Sequence, residues 1–115
     1  MNGWPRHITL TLDEGAIRGG SCGDPFLCPL ALAVVHLWFV NDDCRPHVKG
    51  ECHFVNEDGN VIGAYRLSER ARLFIDEFDS MSEMSKEDAA GKMEELVEVW
   101  AKATFRLTLL GDHAA

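Results

Sequence analysis

Basic residues are scarce in this chain. Its 115 residues hold 11 lysines and arginines against 19 aspartates and glutamates, a net charge of −8. Phosphate binding needs clustered Lys and Arg, so this balance argues against nucleic acid as a direct ligand. Long apolar stretches are scarce too. The one uncharged apolar run of any length is Cys28 to Val40, and from Pro29 it makes a helix of roughly 18 Å, short of the ~20 residues a bilayer requires. No membrane association is expected. The opening, Met1 to Leu12, has no basic segment followed by an apolar one, so no secretory signal is expected and the setting reads as cytoplasmic. There is no Cys-x-x-Cys pair among Cys22, Cys28, Cys44 and Cys52, and in that compartment free thiols are expected rather than disulfides. No repeat, low-complexity tract or linker divides the sequence, so residues 1–115 read as a single domain able to close its own core.

The apolar run is the stretch that the rest must surround. Pro29 suits the first position of a helix, where its fixed φ and missing N–H cost nothing. Leu30, Val34, Leu37 and Trp38 make one stripe and Leu32, Val35 and Phe39 another, so the helix lacks a polar face and is expected in the interior. Asn41, Asp42 and Asp43 are expected just beyond it, because negative charge is unfavourable at a helix C-terminus.

Before this helix, Arg6 to Leu12 alternates as a half-buried strand does. Asp13 can cap a short helix, Glu14 to Arg18, that Gly19 and Gly20 stop. After it, Pro46 to Val55 and Val61 to Leu67 read as two strands, joined as a β-hairpin through Asn56 to Asn60 with Asp58-Gly59 at the turn. Ser68 caps a helix with Ala71, Phe74, Ile75 and Phe78 at helical spacing. Ser85 with Asp88 opens another, with Ala89, Met93, Leu96, Val97 and Trp100 inward. Ala103 to Leu110 alternates again. The expected fold is α+β, a four-stranded, mainly antiparallel sheet with a buried central helix, in the order β-α-β-β-α-α-β of a ferredoxin-like split βαβ variant.

Three pieces, Cys28-Pro29-Leu30-Ala31-Leu32-Ala33, then Tyr65-Arg66-Leu67-Ser68 with Ala71, Phe74, Ile75, Phe78 and Asp79, then Phe105-Arg106-Leu107, together resemble a loose group of small uncharacterised phage and prophage proteins. The resemblance implies a viral or prophage origin and hence the host cytoplasm. It supplies no activity and no catalytic residue. Ser80 to Lys102 departs from the group's pattern of a short turn between second helix and last strand.

That departure is where charge collects. Between Asp76 and Glu98 lie nine acids against Lys86 and Lys92, a local balance of −7. Asp76, Glu77, Asp79, Glu83, Glu87, Glu94, Glu95 and Glu98 are the candidate partner-binding residues. A dense negative helix can occupy a basic groove meant for nucleic acid, although such a run is also what any solvated face looks like. Arg18, Gly19, Gly20, Gly23 and Cys28 form an alternative ligand loop, in which backbone N–H groups before a helix could cradle a nucleotide phosphate; the P-loop lysine is absent and Asp24 would repel an anion.

Cys28, at a helix start, is also a candidate nucleophile, with no spacing that selects His7, His36, His47 or His53 as its base. Cys22, Cys28, Cys44, His47, Cys52 and His53 offer zinc donors without zinc spacing, and no metal or other cofactor is expected. His36 reads as a satisfied core histidine. The leading expectation is a non-enzymatic phage or prophage interaction protein that binds a host protein with a basic surface. It would thereby inhibit a nucleic-acid-handling or antiviral defence complex, in the manner of an anti-CRISPR protein. A nucleotide-signal binder and a zinc or thiol protein are the alternatives.

Overall fold

The computed structural model describes residues 4–37 and 44–110. Within them the chain runs β1 (His7–Thr11), α1 (Glu14–Gly19), α2 (Pro29–Val34), β2 (Cys44–Lys49), β3 (Glu51–Asn56), β4 (Val61–Leu67), α3 (Glu69–Asp79), a 3-10 turn (Ser80–Glu83), α4 (Lys86–Trp100) and β5 (Thr104–Leu109). The caps read from sequence form. Asp13 accepts from the N–H of Ala16 at 2.7 Å, Ser68 from Ala71 at 3.2 Å and Ser85 from Asp88 at 3.1 Å, each satisfying a donor that the first helical turn leaves without a partner.

The strands form one sheet in the order β1-β5-β4-β3-β2, with every neighbouring pair antiparallel. Alternation gives it two unlike faces. Ile8, Leu10, Phe105, Leu107, Tyr65, Leu67, Cys52 and Phe54 are buried on the inner face, against the helices. His7, Thr9, Thr104, Arg106, Arg66, Glu51, Arg45 and Lys49 are exposed on the outer face. Aromatic rings lock the helices onto the inner face. Phe74 of α3 meets Trp100 of α4 edge-on at 5.5 Å and Phe105 of β5 at 6.2 Å, and Trp100 meets Phe105 at 5.8 Å.

The fold is α+β, but it has five strands, not four, and it is not a split βαβ. That arrangement needs a parallel pair joined by one crossover helix. Here two helices, α3 and α4, lie between β4 and β5 and carry the chain out and back. It therefore re-enters beside β4 at the end it left, running antiparallel: Leu67 pairs with Leu107 and Tyr65 with Leu109. The extra strand arises because Pro46 to Val55 is not one strand. It folds back at Gly50, whose φ is +71°, so that Val48 faces Cys52 and Pro46 faces Phe54. Pro46 is tolerated because β2 is an edge strand. The Asn56 turn that follows forms as expected, with Gly59 at φ +85° and the Asn56 side chain accepting from the N–H groups of Asp58 and Asn60.

A Cβ at Gly50 would have nothing within 4 Å, so backbone conformation alone resists substitution there. Gly50→Ala is expected to cost roughly 1–2 kcal/mol, the left-handed penalty of an L-residue, and Gly50→Asn less. Urea denaturation measures both. An unchanged midpoint for the alanine variant would mean that the hairpin does not turn at Gly50.

The helix at Pro29 also differs from its expectation. It covers six residues, and only one side of it is buried: Pro29, Leu30, Ala31 and Val34 face the core. Val35 is 45% exposed, Leu32 and Ala33 are half-buried, and His36 is exposed rather than a core residue. α2 lies against both edge strands, β1 and β2, with α1 packed beside it, and its opposite side meets solvent. Trp38, Phe39, Val40 and Asn41 to Asp43 lie outside the described residues.

Candidate functional site

The acidic residues occupy three different environments. In α4, Glu87, Glu94 and Glu98 fall at i, i+7 and i+11, a single stripe opposite the buried Leu96 and Trp100, and all three are exposed. Glu83 is exposed in the turn just before. Glu94 takes both guanidinium N–H groups of Arg18, at 2.9 and 2.8 Å, and this bidentate pair ties α1 to α4. The Arg18 hydrogen bonds, and its charge, hold the Glu94 carboxyl below the usual carboxylate range. Because the folded-state value is lowered, the stability this pair adds is present above the ordinary carboxylate pKa and is lost as pH falls through the lowered one. The pair is exposed, so the contribution is small.

Other acids serve the fold. Glu77 accepts from the indole N–H of Trp100 at 3.2 Å and lies 3.5 Å from the Lys92 ammonium, which also reaches Glu95. Asp79 accepts from the N–H of Gly23 at 2.9 Å and anchors the loop ahead of α2 to the end of α3. Glu77 and Asp79 are therefore half-buried ties between elements, and Glu95 shares its cation. Asp76, Glu83, Glu87 and Glu98 make no ion pair within 4 Å among the described residues, so their charges are not neutralised by a neighbouring side chain.

The loop proposed for a nucleotide is only in part brought to one cavity. Arg18 is held by Glu14 and Glu94. Gly20 has an ordinary φ of −76° and is small because Pro29 sits where its side chain would be, 2.6 Å from an ideal Cβ. Only Gly23 and Cys28 reach the cavity there, of about 310 Å³, and with them stand Asp24, Asp76 and Asp79 against a single cation, Lys49. That lining repels phosphate. The convergence of Asp24 with two acids of α3 had no signal in the sequence, since more than fifty residues separate them.

Three of the thiols are held away from the reactive thiolate form. Burial pushes the Cys28 thiol up, its neighbouring helix N–H groups only partly opposing this, and Asp79 and Asp24 push it further. Burial and the adjacent Cys28 raise Cys52 to about 12. Cys22 is raised by burial and donates to the carbonyl of Phe78 at 3.3 Å. A thiol in such a site stays protonated at neutral pH and is a poor nucleophile. Strand alternation also separates the zinc donors: Cys44 and Cys52 are buried on the inner face, whereas His47 and His53 stack on each other on the outer one, 6.4 Å apart. No group of three or more His, Cys, Asp or Glu among the described residues is placed to hold a metal ion, and no described helix is long and apolar enough to cross a membrane. Compared with known proteins, the chain matches no family model, no curated protein and no solved structure.

Proposed function

We propose that this chain is a non-enzymatic interaction protein that docks on a basic surface of a protein partner through Glu83, Glu87 and Glu98, with the Arg18-bound Glu94 in the same stripe. The observation that carries this reading is the outward stripe of α4, whose carboxylates neither support the core nor, Glu94 apart, have a cation of their own. Charge displayed in this way steers association and selects partners of opposite sign. The buried, protonated thiols and the acidic lining of the cavity speak for binding rather than thiol chemistry or nucleotide capture. The resemblance to phage and prophage proteins makes a host nucleic-acid-handling or antiviral complex the partner class, since such complexes carry the Lys and Arg grooves that a carboxylate stripe fits.

The test is the triple variant Glu83→Lys, Glu87→Lys, Glu98→Lys in an affinity capture from host lysate. Its melting temperature should stay within a few degrees of the parent, because exposed charges contribute little to folding. The parent should retain a partner at 0.1 M salt and release it as the Debye length falls from about 10 Å to about 3 Å at 1 M, and the variant should retain at least tenfold less at the lower salt. A partner held equally by both proteins would place the functional surface elsewhere.

A further inference from the structure

The net charge of −8 describes an average that the sheet undoes. On its outer face Arg45, Lys49, Arg66 and Arg106 stand exposed, Lys49 at the Gly50 end where it also borders the acidic cavity, and the one acid among them is Glu51. Glu51 accepts from the Nε2 of His53 at 2.9 Å, and neither Arg66 nor Arg106 has an ion pair within 4 Å among the described residues. Register places these side chains together: His7, Thr108, Arg66, Glu51 and Lys49 are successive cross-strand partners on four of the pairings, with Arg106 one pleat away opposite Thr9. Beside the cations lies a strip of rings. Phe26 of the loop ahead of α2 wraps past the β2 edge, its ring 4.3 Å from the Arg45 guanidinium and 4.9 Å from His47, which in turn lies nearly parallel to His53.

We infer that this outer face binds single-stranded nucleic acid, a function separate from that of the acidic stripe. Cations for phosphates beside flat rings for bases are what a single strand requires. No described helix or ribbon projects from this face to enter a duplex groove. A second copy would have to present its acidic helices here, a head-to-tail contact rather than the two-fold one commonest among oligomers. The acids do not forbid the contact. They lie beyond helices about 10–12 Å across, farther than the Debye length of about 8 Å at physiological salt.

The experiment is fluorescence anisotropy of the full chain with labelled 12-nucleotide RNA and DNA of mixed sequence, single-stranded and as duplexes. Single strands should bind saturably at 50 mM salt and more tightly than duplexes. Affinity should fall by about 50-fold between 50 and 200 mM salt if four cations engage phosphates at a slope near −0.7 each. Arg66→Glu with Arg106→Glu should weaken binding at least tenfold, and the alanine pair serves if the glutamates disturb folding; the acidic-stripe variant should bind single strands no less tightly than the parent. Absence of saturable binding at 50 mM salt, or affinity indifferent to Arg66 and Arg106, overturns the inference. So does self-association in light scattering that the same two substitutions abolish, which would assign the face to a second copy.

Discussion

Phe74→Ala should lower the melting temperature by about 12–20 °C. Removing a fully buried phenylalanine typically costs 3–5 kcal/mol, transfer and cavity together, and a domain of this size loses roughly 4 °C per kcal/mol. Phe74 has no exposed surface and its ring meets Phe78 of its own helix, Trp100 of α4 and Phe105 of β5. The void would open where three elements join and where none can collapse without dragging the other two. Leu73, the next residue, is 54% exposed, and Leu73→Ala should shift the midpoint by no more than a few degrees. Calorimetry of the two variants side by side is the measurement. A shift below about 5 °C for Phe74→Ala would show that the aromatic cluster is not the centre of the core.

The second large effect distinguishes two alanines of one helix. Ala31 is 1% exposed, whereas Ala33 is half-buried on the far side of α2. Sequence alone, reading the helix as buried all round, makes Ala33→Asp a core disruption; the structure moves that damage to Ala31. Ala31→Asp must bury a carboxyl with no designed partner, at roughly 2–7 kcal/mol even when the group is neutral. Burial raises the folded-state pKa of such a group, so the loss deepens as pH rises above about 4, the unfolded value of Asp. Much of a total stability of about 5–15 kcal/mol would be gone. Ala33→Asp should cost less, about 1–2 kcal/mol, because Ala33 is half-buried at the margin of the core, where the added carboxylate can still reach water. Chemical denaturation at pH 5 and pH 8 separates the cases. Equal costs at the two positions would mean that α2 is buried on both sides after all.

The sequence by itself determined those features that depend on neighbours along the chain. The alternating segments at β1 and β5, the strand at β4, the Asn56 to Gly59 turn, and the caps at Asp13, Ser68 and Ser85 all act over a span of a few residues, and each is present as read. The inward residues of α3 and α4 follow from helical spacing in the same way. Gly50 shows where such reading stops. A continuous strand puts Val48, Cys52 and Phe54 on one face, and so does a hairpin folded about residue 50, because residues opposite each other across an antiparallel pair share a face. Periodicity cannot distinguish the two, and a strand was lost from the count. Only the tertiary structure decided which charges are free. Glu77 is spent on Trp100 and Lys92, Asp79 on Gly23, and Arg18 on Glu94, 76 positions away. Only the pairing order decided that Arg45, Lys49, Arg66 and Arg106, scattered over sixty residues of an acidic chain, share one surface. Charge is a property of composition, but an electrostatic surface is a property of strand order, and strand order is set by contacts between segments far apart in sequence.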